Sequence, residues 1–318
     1  MKKKPISSAI EPPRGRQVFD ELRSLVTEKT NPRSARIDRL PIEKILLIIN
    51  REDSSVPRAV RKELPFIARA VELVVSRLER GGRLFYLGAG TSGRLGVLDA
   101  AECPPTFGTS PDIIIGIIAG GYESLLLSKE GAEDNVSAAI DDVRSQKIGR
   151  KDIVIGITAS KRTPYVLAGL TEARRLGAAT VFISCNPRKM APREYDLAIC
   201  PVVGPEVIAG SSRMKAGSAQ KMILNMITTA AMIRLGKIYG NRMVDLKATS
   251  EKLKERSKRV IMDTCGLSYE AAETILSEAG GQVKTAIVMS RMRLTRSAAE
   301  KLLRSNSGVV YRALGELE

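Results

Sequence analysis

Between residues 84 and 202 the chain repeats one pattern five times: a short, almost wholly apolar run, with a helical stretch between each run and the next. The runs are Leu84–Leu87, Ile113–Ala119, Ile153–Thr158, Thr180–Ser184 and Leu197–Val202. A strand that is apolar at nearly every position is buried on both faces. Strands joined through helices pair in parallel, so the pattern predicts an α/β fold, a doubly wound parallel sheet with helices on both faces. With aromatic residues at 4% and no tryptophan, its core must be mainly aliphatic.

The flanks read as helices. Ile37, Leu40, Ile45, Leu46 and Ile49 predict one amphipathic helix over 37–49, after Pro41. A second spans 57–79, with Pro65 kinking it or restarting it. A long helix is expected over 213–236, and the segments beyond, around Ser268–Ala279 and Gly281–Met292 and on to the end, are helical in short pieces. The organisation expected is a flexible lead over 1–25, N-terminal helices over 26–73, the sheet domain over 74–237 and a small helical domain over 238–318.

Two absences narrow the chemistry. The chain has no histidine, which removes His-based triads, His general bases and His metal ligands. Its cysteines, Cys103, Cys185, Cys200 and Cys265, form no C-x-x-C pair, so they read as buried structural thiols, and no metal site is expected. Acid–base work falls to Asp, Glu, Lys, Tyr or water. The net charge of +16 is spread along the chain among acids, with no zinc finger, RNP aromatics or long basic run. It therefore reads as a solvated surface that suits phosphorylated metabolites, with no nucleic acid as partner. No apolar run reaches the roughly 18–20 residues of a membrane span, and the basic start has no apolar stretch behind it. A cytoplasmic protein without a membrane partner is expected.

Three loops share one chemistry. Tyr86-Leu-Gly-Ala-Gly-Thr-Ser-Gly-Arg94 follows a strand and leads into a helix, so glycine-rich backbone at Gly90 and the hydroxyls of Thr91 and Ser92 face an anion, with Arg94 behind them. It lacks the Gly-Lys-Ser/Thr of a nucleotide-triphosphate loop and the usual dinucleotide context. Ile157-Thr-Ala-Ser-Lys-Arg-Thr-Pro-Tyr165 repeats the arrangement at another strand end with Ser160 and Thr163. Gly210-Ser-Ser-Arg-Met-Lys215 opens the long helix and adds Ser211, Ser212 and Lys215. Helix capping explains each loop singly, but their repetition at strand ends favours phosphate binding. Acidic residues stand at Asp99-Ala-Ala-Glu-Cys-Pro-Pro-Thr106 and Lys129-Glu-Gly-Ala-Glu-Asp134. Pro104 is expected to end the helix at Cys103 and leave Glu102 at its tip. On the residues alone, these carboxylates are charged helix ends or an acid–base pair.

The stretch Leu87–Phe107 resembles the hallmark of the N-acetylmuramic acid 6-phosphate etherases. So do Gly120-Gly121 with Glu130–Asp134, Ala159–Val166, Gly204–Lys221, Thr27–Pro32 and Asn241–Asp245, and the likeness runs from about residue 25 to the end. The resemblance implies a SIS-type fold, with a five-stranded parallel sheet and a usual homodimer, and a lyase that splits the D-lactyl ether of a sugar phosphate by elimination and hydration without a cofactor. It makes Glu102 the acid toward lactate and then the base toward water, and Glu133 the base at C2. The family's second loop reads Ser-Gly-Arg-Thr-Pro, whereas Lys161 stands here in place of the glycine. A continuous helix from Ser92 to Glu102 would part them by about 15 Å, so either the helix breaks or two subunits share the site. A sugar-phosphate sensor like the glucokinase regulatory protein, or an aldose–ketose isomerase, is the rival on the same fold. Retention of both glutamates speaks against the sensor.

Overall fold

The computed structural model describes residues 15–245 and 251–316. The first helix, α1 (Gly15–Ser24), lies where a flexible lead was expected; the rest of that lead, up to residue 14, falls outside the described residues. Then come α2 (Ile42–Asp53), α3 (Val56–Arg61) and α4 (Leu64–Glu79). Pro65 restarts the helix, because a proline in the first turn removes only an amide that has no intrahelical partner. Ile37 and Leu40 stay outside α2, since Pro41 is its N-cap residue and the preceding backbone closes a short 3-10 turn.

The sheet follows as β1 (Leu84–Gly88), α5 (Gly90–Phe107), β2 (Ile114–Ile118), α6 (Val136–Ser145), β3 (Ile153–Ile157), α7 (Pro164–Arg175), β4 (Ala179–Ile183) and β5 (Leu197–Ile199). All five strands are parallel in the order β2-β1-β3-β4-β5. The apolar runs are strands for the reason the pattern gave. In β1, Leu84 and Tyr86 pack into the layer of α4, α5 and α8 (Lys215–Arg234), while Phe85 and Leu87 pack into the layer of α6 and α7. At roughly 25 cal/mol per Å², burial on both faces is the main stabilising term of such a sheet.

A two-stranded ribbon, β6 (Ile238–Tyr239) and β7 (Arg242–Met243), leads to α9 (Glu251–Cys265), α10 (Tyr269–Glu278), α11 (Val283–Met292), α12 (Arg296–Ser305) and α13 (Val310–Ala313). These helices enclose their own core of Ile261, Ala272, Ile287, Leu303 and Val310. Among the described residues, no helix is long and apolar enough to cross a membrane.

Pro104 does not end α5. The helix continues through Pro104 and Pro105 to Phe107 and closes on Gly108, whose left-handed backbone donates its amide to the Pro104 carbonyl. The local penalty against helix before proline is outweighed by packing: Cys103 and Phe107, on either side of the prolines, are both buried in the α4/α5/α8 layer. The start of α5 is fixed by close approach. A Cβ on Gly93 would sit 2.7 Å from the Gly88 carbonyl oxygen, so only glycine lets the helix begin this near β1.

Candidate active site

Strand order reverses at β1, whose neighbours β2 and β3 are reached by connections on opposite sides of the sheet. Loops leaving the carboxyl ends of β1 and β3 diverge there, and open α/β sheets bind ligands in such a crevice. A cleft of about 470 Å³ occupies it. Its walls include Gly90, Thr91 and Ser92 from the first loop, Ser160 and Thr163 from the second, and Ser212 from the third. Six of the residues read from sequence as phosphate ligands thus converge although they lie as much as 122 positions apart (212 − 90). The amino end of α5 opens on the cleft and favours an anion there.

The hydroxyls are held in place. Ser92 Oγ donates to Gln220 Oε1 at 2.9 Å, Thr163 Oγ1 pairs with Thr158 Oγ1 at 2.8 Å, and Ser160 Oγ accepts the Arg162 amide at 3.2 Å. Three further wall residues were not legible as ligands: Arg162, Leu22 on α1 and Glu28. The segment carrying Glu28 is tied down by Asn186, which accepts the Val26 amide at 2.8 Å and donates to Thr27 Oγ1 at 3.3 Å. Nothing local in the sequence announces an asparagine 160 residues away as its anchor.

The other expected ligands lie elsewhere. Lys215 is 1% exposed, and its ammonium meets Glu52 Oε2 at 2.6 Å. Burial alone would push the Glu52 carboxyl up, but Lys215, Arg33 and Asn31 hold it down at about 2. Ser211 sits in the turn before α8 and does not line the cleft. Arg94 borders an adjoining cavity of about 370 Å³, which shares Ala89, Gly90 and Glu133 with the cleft. Glu133 therefore stands on the boundary of both spaces, exposed, in a short 3-10 turn after the left-handed Gly131.

Glu102 is not there. It is exposed on α5 and lines a separate hollow of about 450 Å³ between α5 and α8, which shares no residue with the cleft at the β1 and β3 loops. Since α5 is unbroken, ten residues of helix separate Glu102 from Ser92, about 15 Å along the axis. One turn before Glu102, Asp99 is buried and accepts hydrogen bonds from Tyr86 Oη at 2.8 Å, Asn225 Nδ2 at 2.6 Å and Thr228 Oγ1 at 3.2 Å. Burial pushes its carboxyl up against the pull of those three donors. This network pins α5 to β1 and α8 at the level of Glu102, a role the sequence did not reveal. Among the described residues, no three His, Cys, Asp or Glu side chains converge as metal ligands.

The glycine-to-lysine departure has a structural cost. Lys161 has φ of +71°, the left-handed region that glycine adopts freely and other residues adopt with strain. Its ammonium lies 3.5 Å from Glu21 of α1, and Arg162 lies 3.3 Å from the same carboxylate. Half-buried pairs of this length contribute little against a backbone cost of about 1 kcal/mol. Lys161→Gly is accordingly expected to raise stability by up to about 1 kcal/mol, seen as a higher Tm in a thermal melt.

Comparison with known proteins places this arrangement. Residues 66–174 match the family of the glucokinase regulatory protein N-terminal SIS domain, and residues 134–230 match the SIS domain family. An N-acetylmuramic acid 6-phosphate etherase of Salinibacter ruber is 52% identical over 95% of this chain and 97% of its own length. Etherases of the same name from Clostridium beijerinckii and Pasteurella multocida are 48% and 50% identical, over 93% and 92% of this chain and 98% and 97% of theirs. The match to the glucokinase regulatory protein domain covers both glutamates and the first two loops but ends at residue 174, whereas the likeness to the etherases spans 92–95% of the chain. The chain belongs to the N-acetylmuramic acid 6-phosphate etherase family.

Proposed function

We propose that this chain binds N-acetylmuramic acid 6-phosphate with its phosphate in the cleft between Thr91, Ser92, Ser160, Thr163 and Ser212, and that Glu133 and Glu102 cleave its lactyl ether. Family membership makes the chain a carbon–oxygen lyase that yields N-acetylglucosamine 6-phosphate and D-lactate. The observation that supports the assignment of residues is the placing of Glu133 on the rim of the phosphate cleft.

The chemistry follows from the substrate. In the open-chain sugar the aldehyde acidifies the C2 proton, and the Glu133 carboxylate removes it. The electron pair left at C2 forms the C2–C3 double bond as the C3–O bond breaks. Protonated Glu102 gives its proton to the departing lactyl oxygen. Glu102, now a carboxylate, takes a proton from water as the hydroxyl adds at C3, and Glu133 returns a proton to C2. No electron is gained or lost overall.

One chain does not bring Glu102 to this cleft, so the acid comes from a second copy. Beside the Glu130–Asp134 loop, Tyr122, Leu126 and Leu127 are 80%, 81% and 77% exposed. Leu98, one turn before Glu102, is 50% exposed. Two copies related by a twofold axis cover both patches at once and carry each Glu102 to the other copy's Glu133. Mixing tests the arrangement. Glu102→Gln and Glu133→Gln chains, each inactive alone, are expected to regain about a quarter of normal activity when unfolded and refolded together, because half the dimers are mixed and each holds one intact site. A mixture as inactive as its components would show that both glutamates must come from one chain.

A further inference from the structure

Arg94 and Lys129 are cations without an ion-pair partner among the described residues, and both line the cavity next to the phosphate cleft. Other cations near the site are committed: Lys215 to Glu52, and Lys161 and Arg162 to Glu21. Arg94 keeps only one contact, from Nε to the Leu125 carbonyl oxygen at 3.1 Å, which orients the guanidinium and leaves its two terminal nitrogens for a ligand. Ser124 lines the same cavity. It is 5% exposed, and its Oγ is buried without a hydrogen-bond partner. A buried hydroxyl left unpaired costs about 1–3 kcal/mol, which a ligand oxygen in this cavity recovers. Glu130 and Glu133 line the same space, so the two cations are balanced by two carboxylates, and an anion is held there by the directed guanidinium and hydroxyl rather than by net charge.

We propose that this cavity is a carboxylate subsite and that Arg94, with Lys129 and the Ser124 hydroxyl, holds the carboxylate of the lactyl group during ether cleavage. The inference rests on the reading above, in which the phosphate occupies the adjoining cleft. The two spaces meet at Gly90 and Glu133. A substrate anchored by its phosphate on one side and its lactyl carboxylate on the other therefore spans Glu133. That fixes C3, which carries the lactyl ether, and so keeps the C2 bonded to it beside the base. It also assigns Arg94 a different task from the phosphate contact its place in the first loop suggested: the guanidinium distinguishes the lactyl sugar from the product that lacks it.

The test compares two sugars that differ only in the lactyl group. Arg94→Met is expected to weaken binding of N-acetylmuramic acid 6-phosphate about tenfold, the loss of one charge-assisted contact, by KM and by calorimetry. Its affinity for N-acetylglucosamine 6-phosphate should stay within about twofold, because the phosphate cleft is untouched. Ser124→Ala and Lys129→Met should show the same asymmetry to a smaller degree, and they serve if Arg94→Met does not fold. Equal weakening toward both sugars would return Arg94 to the phosphate and overturn the subsite, as would no change toward either. The calorimetric arm needs no turnover. A parent chain that prefers the lactyl sugar, and loses the preference in Arg94→Met, upholds the subsite even if no lactate is released, and that failure would fall on the ether-cleavage reading instead.

Discussion

Glu133→Gln is expected to lower D-lactate release by roughly 10²–10⁴-fold, with Glu102→Gln lowering it by a similar factor, while both chains keep their fold. Both side chains are exposed, and neither takes part in the ion pairs of the described residues, so a loss of rate cannot be put down to a collapsed core. The two losses differ in kind. Without Glu133 no proton leaves C2, so the sugar recovered from D2O should carry no deuterium at C2. Without Glu102 the proton still leaves and returns while the ether stays whole, so deuterium should enter C2 with little lactate formed. Mass spectrometry of the recovered sugar separates these cases, and the reverse pattern would exchange the two roles.

Lys215→Met is expected to destabilise the fold by about 3–5 kcal/mol, read from the midpoint of chemical unfolding. The change leaves the Glu52 carboxylate, 4% exposed, without its nearest counter-charge, and only Asn31 and the largely exposed Arg33 remain beside it. Combining Lys215→Met with Glu52→Leu should cost less than Lys215→Met alone, because the buried charge is removed with its partner. The pair also sets a pH dependence. Folded Glu52 titrates at about 2 against an ordinary 4.5. Its contribution is therefore complete above about pH 4.5 and is lost as pH falls toward 2. In Lys215→Met that part of the acid sensitivity should be reduced.

Lys215 also shows where sequence reading ran out. A lysine at the start of a helix, behind two serines, has the look of a phosphate ligand, but its actual partner is 163 positions earlier on α2. Nothing in either segment announces the pairing. The strands were legible for the opposite reason: burial on both faces writes itself into consecutive residues, so Leu84–Leu87 and Ile153–Thr158 needed no knowledge of their neighbours. The loops at Gly90 and Ser160 stood out because glycine and hydroxyls at a strand end have the look of an anion cradle, and strand order does bring the two loops to one cleft. Pro104 misled because the rule against helix before proline is local, whereas the burial of Cys103 and Phe107 that overrides it is tertiary. Ser124 carried no signal, and nothing marked Asp99 off from the other acidic residues of its segment; only the packed structure shows one hydroxyl unpaired and one carboxylate held by three donors.

The most direct measurement is the release of D-lactate from N-acetylmuramic acid 6-phosphate by the purified chain. D-lactate and N-acetylglucosamine 6-phosphate are expected in equal amounts, with release sharply reduced in Glu102→Gln and Glu133→Gln. Saturable binding of the sugar phosphate with no lactate formed would contradict that expectation and leave a sensor built on an etherase frame.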